Sequence, residues 1–485
     1  MTGFEMGFDL NWAAWVPSIE KLTYLVAASL FIVGLKFLGS PATARKGNAI
    51  ASVGMALAIA VTLLDFHVVS YLQILVAIAV GSAIGAIAAK QVGMTEMPQM
   101  VGLLNGLGGA ASALVAVAEF WRLSTNGSGD VPTNIVVTAI LGVLIGGVTL
   151  TGSLMAFAKL QGLVPGAPIT FPLQQPVNVT LLLGFLVGGG YLLLHPGDLQ
   201  IFLDISAISL ILGVLFVLPI GGADTPVVIS LLNSFSGLAA SAAGFVLGND
   251  MLIIAGALVG ASGLILTEIM CKAMNRSLAN VLFGAFGGGG GSTAGATAAS
   301  GAAVQKTYRS IDAEEGAMML GYARSVVIVP GYGMAVAQAQ HAVRELADRL
   351  AENGVEVKYA IHPVAGRMPG HMNVLLAEAN VPYSQLYDMD DINPEFERAD
   401  VALIIGANDV VNPDARDNAN SPIYGMPILE VDRAKHAIVI KRSMSPGFAG
   451  IDNELFYKGN TMMLFGSAKE VVSSLVASVK ELAAV

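Results

Sequence analysis

Long apolar stretches dominate the first part of the chain. A helix needs roughly 20 apolar residues to cross the hydrocarbon core of a bilayer. Nine stretches of about that length precede residue 276: Leu22 to Gly39, Asn48 to Leu64, Ser70 to Lys90, Pro98 to Phe120, Thr133 to Lys159, Val177 to Leu194, Gln200 to Pro219, Thr225 to Leu247 and Met251 to Lys272. The pattern predicts a membrane domain over residues 21–276, embedded in the lipid bilayer.

From Ser325 the pattern changes to short runs of β-branched residues separated by helical segments. Strands are predicted at Ser325 to Val329, Val355 to Ala360, Val401 to Ile405 and Ala437 to Ile440, with a long helix ending at Ala351 and a last helix from Ala468 to Leu482. Strands that alternate with helices form a parallel sheet covered on both faces. The predicted fold is therefore a polytopic α-helical membrane domain of about nine spans, followed by an α/β, Rossmann-like, doubly wound parallel-sheet domain over residues 321–485.

Two further segments have their own composition. Residues 284–310 are rich in Gly, Ala, Ser and Thr without an apolar period, which is typical of a flexible tether. Residues 277–320 are therefore predicted to be a linker. Residues 1–20 carry Phe4, Phe8, Trp12 and Trp15 at helical spacing, which indicates a helix in the membrane interface or, alternatively, a poorly ordered tail.

Composition and charge agree with this division. The chain has 485 residues, of which 54% are hydrophobic and only 12% charged, whereas soluble domains carry roughly 25% charged residues. The first 276 residues hold 9 of the 25 Lys and Arg and 12 of the 35 Asp and Glu. The remainder is net negative, so nucleic acid is not an expected partner. Cys271 is the single cysteine, so an internal disulfide is excluded, which agrees with a reducing compartment.

Basic residues at the ends of the spans predict the orientation of the chain. One side collects Lys36, Arg45, Lys46, Lys90, Lys159, Lys272 and Arg276, whereas the other has only Lys21 and Arg122. Because Lys and Arg concentrate on the cytoplasmic side, this side and the sheet domain that follows it are predicted to be cytoplasmic.

The segment from Gly331 to Val336, Gly-Tyr-Gly-Met-Ala-Val, fits a dinucleotide-binding fingerprint between a strand and a helix. Two glycines allow a tight turn and close backbone approach, and the helix N-terminus offers N–H groups to a pyrophosphate. A simple structural turn is the alternative interpretation.

The second predicted strand ends in Ile361-His-Pro without the acidic residue that would hold an NAD ribose. The absence of this residue favours NADP over NAD, or a nucleotide orientation that differs from the usual one in such sites. Lys441, Arg442 and Ser443 follow a later strand, and two cations with a hydroxyl suit a 2′-phosphate. The alternative is a solvated basic patch.

Ionisable and strongly polar groups within lipid are costly and are functional candidates by default. Those in or beside the spans are Asn105, Glu119, Asp204, Asp224, Asn233 and Glu268. The alternatives are interhelical hydrogen bonds for the amides and interfacial solvation for Glu119, Asp204 and Glu268. No metal site is predicted.

Several motifs together resemble the β subunit of the proton-translocating NAD(P) transhydrogenases. They are Gly331-Tyr-Gly-Met-Ala-Val-Ala-Gln-Ala-Gln, His362-Pro-Val-Ala-Gly-Arg-Met-Pro-Gly-His-Met-Asn-Val, Gly406-Ala-Asn-Asp, Lys441-Arg-Ser-Met, Glu96-Met-Pro, Gly221-Gly-Ala-Asp and Cys271-Lys-Ala-Met-Asn-Arg. They span nearly the whole chain.

This resemblance implies a function. The chain would supply most of the membrane domain and bind NADP(H), while a separate α subunit binds NAD(H) and adds the remaining helices, with two copies of each subunit. Hydride would pass directly from NADH to NADP+ with Re/Si specificity, driven by protons entering the cytoplasm across a bacterial inner membrane. A nucleotide-sensing transporter or channel, and a membrane-anchored NADPH reductase, are the alternatives from other classes.

The resemblance also implies the site residues. NADP(H) contacts would be Tyr332, Val364, Ala365, Gly366, Arg367, Met368, Pro369, Gly406, Ala407, Asn408, Asp409, Val410, Gly425, Met426, Lys441, Arg442, Ser443, Met444, Ser445, Pro446, Gly447, Phe448, Ser467 and Ala468. The fingerprint adds Gly331, Gly333 and Val336. The family binds NADP(H) inverted relative to most Rossmann domains, which accounts for the missing acidic residue. Asp409 matches an acidic residue near the nicotinamide that is linked to redox-dependent protonation.

On the proton path, the resemblance assigns roles to Asn105, Asn233 and Asp224. Many family members have a histidine in place of Asn105 as the proton carrier. An amide does not titrate near neutral pH, so Asn105 orders water or donates hydrogen bonds, and the favoured carrier is a histidine on the α subunit. Asn233 would help to form the water path, and Asp224 would couple that path to the sheet domain.

Overall fold

The computed structural model describes residues 12–63, 71–126, 131–165, 168–221, 224–275, 277–278, 307–368, 370–421, 423–447 and 449–483. Within these residues, nine helices are long and apolar enough to cross a membrane, which confirms the predicted number of spans. They are α1 (Trp12–Leu38), α2 (Pro41–Leu63), α3 (Tyr71–Gln91), α4 (Met97–Asn126), α5 (Thr133–Leu160), α6 (Gln174–Leu194), α7 (Leu199–Val217), α8 (Thr225–Leu247) and α9 (Asp250–Ala273). Trp12 and Trp15 lie in α1, whereas Phe4 and Phe8 lie outside the described residues.

Small residues let the membrane helices touch backbone to backbone. A β-carbon at Gly237 on α8 would lie 2.5 Å from the backbone nitrogen of Gly260 on α9. Likewise, a β-carbon at Gly109 on α4 would lie 2.8 Å from the Gly146 carbonyl oxygen on α5. Apolar surface gains little from leaving lipid, so this close packing is a main source of helix association.

A buried lysine ties two helices together at their predicted cytoplasmic ends. Lys159, in the last turn of α5, donates to the carbonyl oxygens of Val217 (3.2 Å), Leu218 (2.6 Å) and Ile220 (2.7 Å). The last turn of a helix leaves its carbonyls without intrahelical partners, and a cation there also complements the helix dipole. Lys159 therefore fixes the end of α5, with Leu160, against the end of α7.

The second domain is one parallel sheet in the order β1-β7-β6-β5-β2-β3-β4. Its strands are β1 (Arg309–Ser310), β2 (Ser325–Pro330), β3 (Glu356–Ile361), β4 (Leu386–Asp388), β5 (Val401–Ile405), β6 (His436–Lys441) and β7 (Thr461–Phe465). Its helices are α10 (Ala313–Gly321), α11 (Tyr332–Val336), α12 (Gln340–Glu352), α13 (His371–Glu378), α14 (Met389–Ile392), α15 (Asp414–Asp417) and α16 (Ala468–Ala483).

Both faces of the sheet are buried. Along β2, Val326 and Ile328 pack into one hydrophobic cluster, whereas Val327 and Val329 pack into the other. This explains why the strands appear in the sequence as unbroken apolar runs. The chain goes outward from β2 to β3 and β4, then returns to β5 on the other side of β2. The carboxyl ends of β2 and β5 thus flank the switch point where such sheets bind ligands.

The structure differs from the sequence-based expectation in three respects, the first being that strands β4 and β7 were not predicted. Strand β1 and all but the last residue of helix α10 lie inside the segment 277–320 predicted as a linker, and β1 pairs with β7. The long helix predicted after β2 is divided into α11 and α12, because Gln338 between them takes a left-handed φ of 48°. The fingerprint is therefore followed by a helix of only five residues.

Candidate functional site

Two adjoining cavities open at the carboxyl edge of the sheet, at the switch point. Their volumes are about 260 and 420 Å³. They share Tyr332, Gly333, Gly406, Ala407, Asn408 and Gly447 as lining residues. The two cavities thus form one groove across the ends of β2, β5 and β6.

The glycines of the fingerprint bring two loops together. A β-carbon at Gly331 would lie 2.4 Å from the backbone of Ala407, and one at Gly406 would lie 2.4 Å from Cα of Gly333. Gly406 has a φ of 68°, and its carbonyl accepts the Gly333 N–H at 2.9 Å. These glycines therefore permit loop-to-loop contact, and the Gly333 N–H is used inside the protein. The pattern suggested close approach to a pyrophosphate; here the close approach is to the loop after β5.

The smaller cavity lies between the two domains. The membrane domain contributes Leu160, Asp224, Pro226 and Met274. From the sheet domain it is lined by Val364 to Arg367, Gly406 to Val410, Ile423, Met426 and Ala449, together with the loop after β2. Asp224, one residue before α8, and Asp409, in the loop after β5, thus border the same space. Leu160, Pro226 and Met274 were not predicted from sequence, because only the docking of the domains brings them here. Ile423 and Ala449, from loops of the sheet domain, were not predicted either.

Arg367 stacks on Tyr332 at the boundary of the domains. Its guanidinium carbon lies 4.5 Å from the centre of the Tyr332 ring, a favourable cation–π arrangement. Burial raises the pKa of Tyr332, and the nearby Arg367 opposes this only in part. Nη1 of Arg367 lies 3.5 Å from the Leu160 carbonyl oxygen on α5. Arg367 therefore lies where the loop after β3 meets the membrane domain.

Asp409 is held by the loop after β6. Its Oδ2 accepts a hydrogen bond from the Ala449 backbone N–H at 3.0 Å. A β-carbon at Gly447 would lie 2.5 Å from Oδ1, so a larger residue at this position would displace the carboxylate. The position of Asp409 thus depends on the segment that also carries the basic residues.

The larger cavity is lined by Lys441, Arg442, Ser443 and Ser445. Nζ of Lys441 donates to the Ser445 carbonyl at 2.7 Å and lies 4.7 Å from the centre of the Phe456 ring. Burial lowers the pKa of Lys441, while the Asp409 and Asp452 carboxylates act in the opposite direction. The hydroxyl oxygens of Ser443 and Ser445 are 2.9 Å apart, and Arg442 is exposed. Two cations and two hydroxyls form a donor set suited to a phosphate dianion.

The remaining predicted contacts divide by position. Val336, Pro446, Ser467 and Ala468 line the larger cavity, and Gly425 lines a neighbouring one. Met368 and Met444 line neither of the two cavities in the groove, with Met444 packed against the core. Pro369 and Phe448 lie outside the described residues.

The polar residues of the spans have different surroundings. Asn105 is 8% exposed and donates to the Ser153 hydroxyl on α5 at 3.1 Å. Asn233 is exposed on the surface of α8, which is otherwise the most buried of the described spans. Glu119 pairs with Arg122 (2.5 Å) and Glu268 with Lys272 (3.1 Å) on their own helices. Asp204 accepts from Gln200 at 3.1 Å. Of this set, Asp224 is the member that borders the groove.

His362 joins the end of β3 to the loop after β5. It is 1% exposed; its Nε2 lies 2.8 Å from the Pro427 carbonyl oxygen, and its Nδ1 accepts the Val364 N–H at 3.3 Å. The imidazole is therefore neutral, with the proton on Nε2. Burial lowers the pKa of His362 to about 4.

This low pKa predicts a pH dependence of stability. An unfolded histidine titrates near pH 6.5, so between about pH 6.5 and about pH 4 the unfolded chain binds a proton that the folded chain does not. The free energy of unfolding is thus expected to fall as the pH decreases through this interval, at up to about 1.4 kcal/mol per pH unit. His362→Gln should flatten the pH profile of the thermal unfolding midpoint. His436→Gln, at an exposed position at the start of β6, should not, and equal slopes for all three proteins would contradict the assignment.

Comparisons with known proteins point to one family. The model of the family described as NAD(P) transhydrogenase beta subunit matches residues 20–478. Two curated relatives, one from Rhodospirillum rubrum and one from a named strain of it, are both called NAD(P) transhydrogenase subunit beta. Each is 51% identical over 462 residues, which is 95% of this chain and 98% of the relative.

Proposed function

Because the chain belongs to the NAD(P) transhydrogenase beta subunit family, we propose that it binds NADP(H) at the carboxyl edge of its sheet. We also propose that it couples hydride transfer with an α subunit's NAD(H) to inward proton movement. The assembly would contain two copies of each subunit in a bacterial inner membrane, with the sheet domain in the cytoplasm.

One observation carries this proposal: a single groove joins the basic cluster Lys441 to Ser443 to the cavity that Asp409 shares with Asp224 of the membrane domain. The proposed phosphate-binding residues and the carboxylate of the membrane domain would therefore border one continuous groove. The donor set fits the 2′-phosphate that distinguishes NADP(H) from NAD(H), since it offers two cations and two hydroxyls. When bound, NADP(H) supplies the nicotinamide that gains or loses a hydride.

Residues of this chain would hold different parts of the bound dinucleotide. Arg442, Lys441 and Ser443 would fix one end of the dinucleotide, and Tyr332 with Arg367 would border its passage towards the membrane. Asp409, held by Ala449 N–H, would respond to the redox state at the other end. The second nicotinamide must come from the partner, because the described sheet has one switch-point groove.

Proton coupling would work through differential affinity. A ligand shifts a two-state equilibrium only if it binds the two states differently. A change in the protonation of the membrane path near Asp224 would therefore favour either a form that retains NADP(H) or a form that releases it. Asn105, bonded to Ser153, would order that path without titrating, and Asn233 would face a helix or water path completed by the α subunit, which carries the titrating group.

The test is partner-dependent hydride transfer in membranes. With both subunits, NADPH should reduce an acetylpyridine analogue of NAD+, and proteoliposomes should show proton movement with it. Membranes with this chain alone, matched for its amount, should give no reduction above background because the second site is missing. Full activity from this chain alone would overturn the proposal and favour a membrane-anchored NADPH reductase, and proton movement without nucleotide oxidation would favour a transporter.

A further inference from the structure

The last membrane helix ends against the loop that covers the smaller cavity. Asn275 lies two residues beyond the last residue of α9, and its Nδ2 donates to the Tyr424 carbonyl oxygen. The next residue of the loop also touches it, since a β-carbon at Gly425 would lie 2.7 Å from Asn275 Nδ2. One amide thus joins the membrane domain to this loop.

The loop between β5 and β6 is anchored in the sheet domain at its base. Leu429 N–H donates to the Val410 carbonyl at 2.9 Å, and Arg416 pairs with Asp432 at 2.8 Å. Near the tip, Ile423 and Met426 line the smaller cavity. The base therefore belongs to the sheet domain, whereas the tip contacts Asn275, just beyond α9, and closes one side of the cavity.

The backbone of Asn275 indicates that its side chain is needed. Its φ is 50°, a left-handed conformation that asparagine tolerates but that glycine adopts at lower cost. Glycine alone would therefore suffice to end the helix. What asparagine adds at this position is the amide, and the structure gives that amide a partner on the loop.

We propose that Asn275 is a positioning residue whose amide holds the tip of the loop over the cavity while the domains are in contact. Losing this bond frees the tip, so the dinucleotide leaves faster. The inference rests on the proposed function, because it assigns to α9 the control of NADP(H) release from that same groove. It names one contact through which a change in the membrane domain reaches the nucleotide.

The test uses the purified complex of both subunits and measures NADPH release after rapid mixing with excess NADP+. Asn275→Gly keeps the left-handed backbone and removes the donor, and should speed release about 5- to 10-fold, the effect of one hydrogen bond of typical strength. Asn275→Asp keeps the shape without the N–H donor and should act in the same direction. Asn380→Gly is the matched control, because Asn380 also has a left-handed φ, 58°, at the exposed end of α13.

A second pair of variants tests the other side of the contact. Gly425→Ala places a methyl group against the Asn275 amide and should also speed release, whereas Gly354→Ala, with a similar φ of 83° and open space around it, should not. An unchanged release rate in Asn275→Gly, or a lower thermal midpoint with unchanged release, would overturn the inference and leave Asn275 as a helix cap. Absence of NADPH binding by the unaltered complex would instead overturn the proposed function itself.

Discussion

Replacing Arg442 by Gln should weaken NADPH binding to the complex by about 10- to 100-fold and leave NADH binding unchanged. Arg442 lines the larger cavity beside Lys441 and Ser443, and a hydrogen bond to a charged group contributes about 1.5–3 kcal/mol. NADH binding should be unchanged because NADH lacks the 2′-phosphate and its proposed site lies on the α subunit. Titration calorimetry with both nucleotides measures the difference directly.

The control is a basic residue at the other edge of the sheet. Lys435 immediately precedes β6 and pairs with Asp400 at 2.7 Å, far along the strand from the groove. Lys435→Gln removes the same charge and should leave both affinities intact. Unchanged NADPH affinity in Arg442→Gln, or an equal loss in Lys435→Gln, would show that the basic cluster does not recognise the 2′-phosphate.

Replacing Asp224 by Asn should abolish proton movement coupled to hydride transfer in proteoliposomes. Asp224 borders the smaller cavity from the membrane side, and asparagine keeps its size while removing its charge and its ability to take a proton. If protonation near this residue sets the balance between retaining and releasing NADP(H), the variant is held in one state. Proton uptake is followed with a pH-sensitive dye during NADPH oxidation.

Asp204→Asn is the matched control for Asp224→Asn. Asp204 lies in the second turn of α7 and accepts a hydrogen bond from Gln200, away from the groove. It should retain proton uptake at the level of the unaltered complex. Normal coupling in Asp224→Asn would exclude this carboxylate from the coupling step.

The membrane domain could be predicted from sequence because each span needs about 20 apolar residues, a signal too long to arise within an ordinary strand. The short strands of the sheet domain are harder to predict from sequence. β7, Thr-Met-Met-Leu-Phe, lacks the Val and Ile that indicate a strand, and β1 has only two residues. Both are recognisable as strands through the neighbours with which they pair.

The candidate site, too, could be predicted from sequence only in part. The position of Arg442 at a strand end follows from the alternation of strands and helices, because carboxyl ends share one edge of a parallel sheet. The meeting of Asp224 with Asp409 depends on how two domains dock, for which no local pattern exists. Likewise, the break at Gln338 lies in Ala-Gln-Ala, a sequence that favours helix, although Gln338 takes a left-handed φ of 48°.

The backbone contact of Gly331 and Gly333 with Gly406 and Ala407 limits how the groove can open. Because no side chains lie between them, the loops after β2 and β5 are held in backbone contact at the switch point. The groove therefore cannot open by a hinge motion that separates the two halves of the sheet domain. Access must then be regulated from the rim. The contact between these two loops should stay the same when a bound dinucleotide leaves. The NADP(H)-bound and released states should therefore have superimposable strands and differ in the other loops and in the docking of the domains.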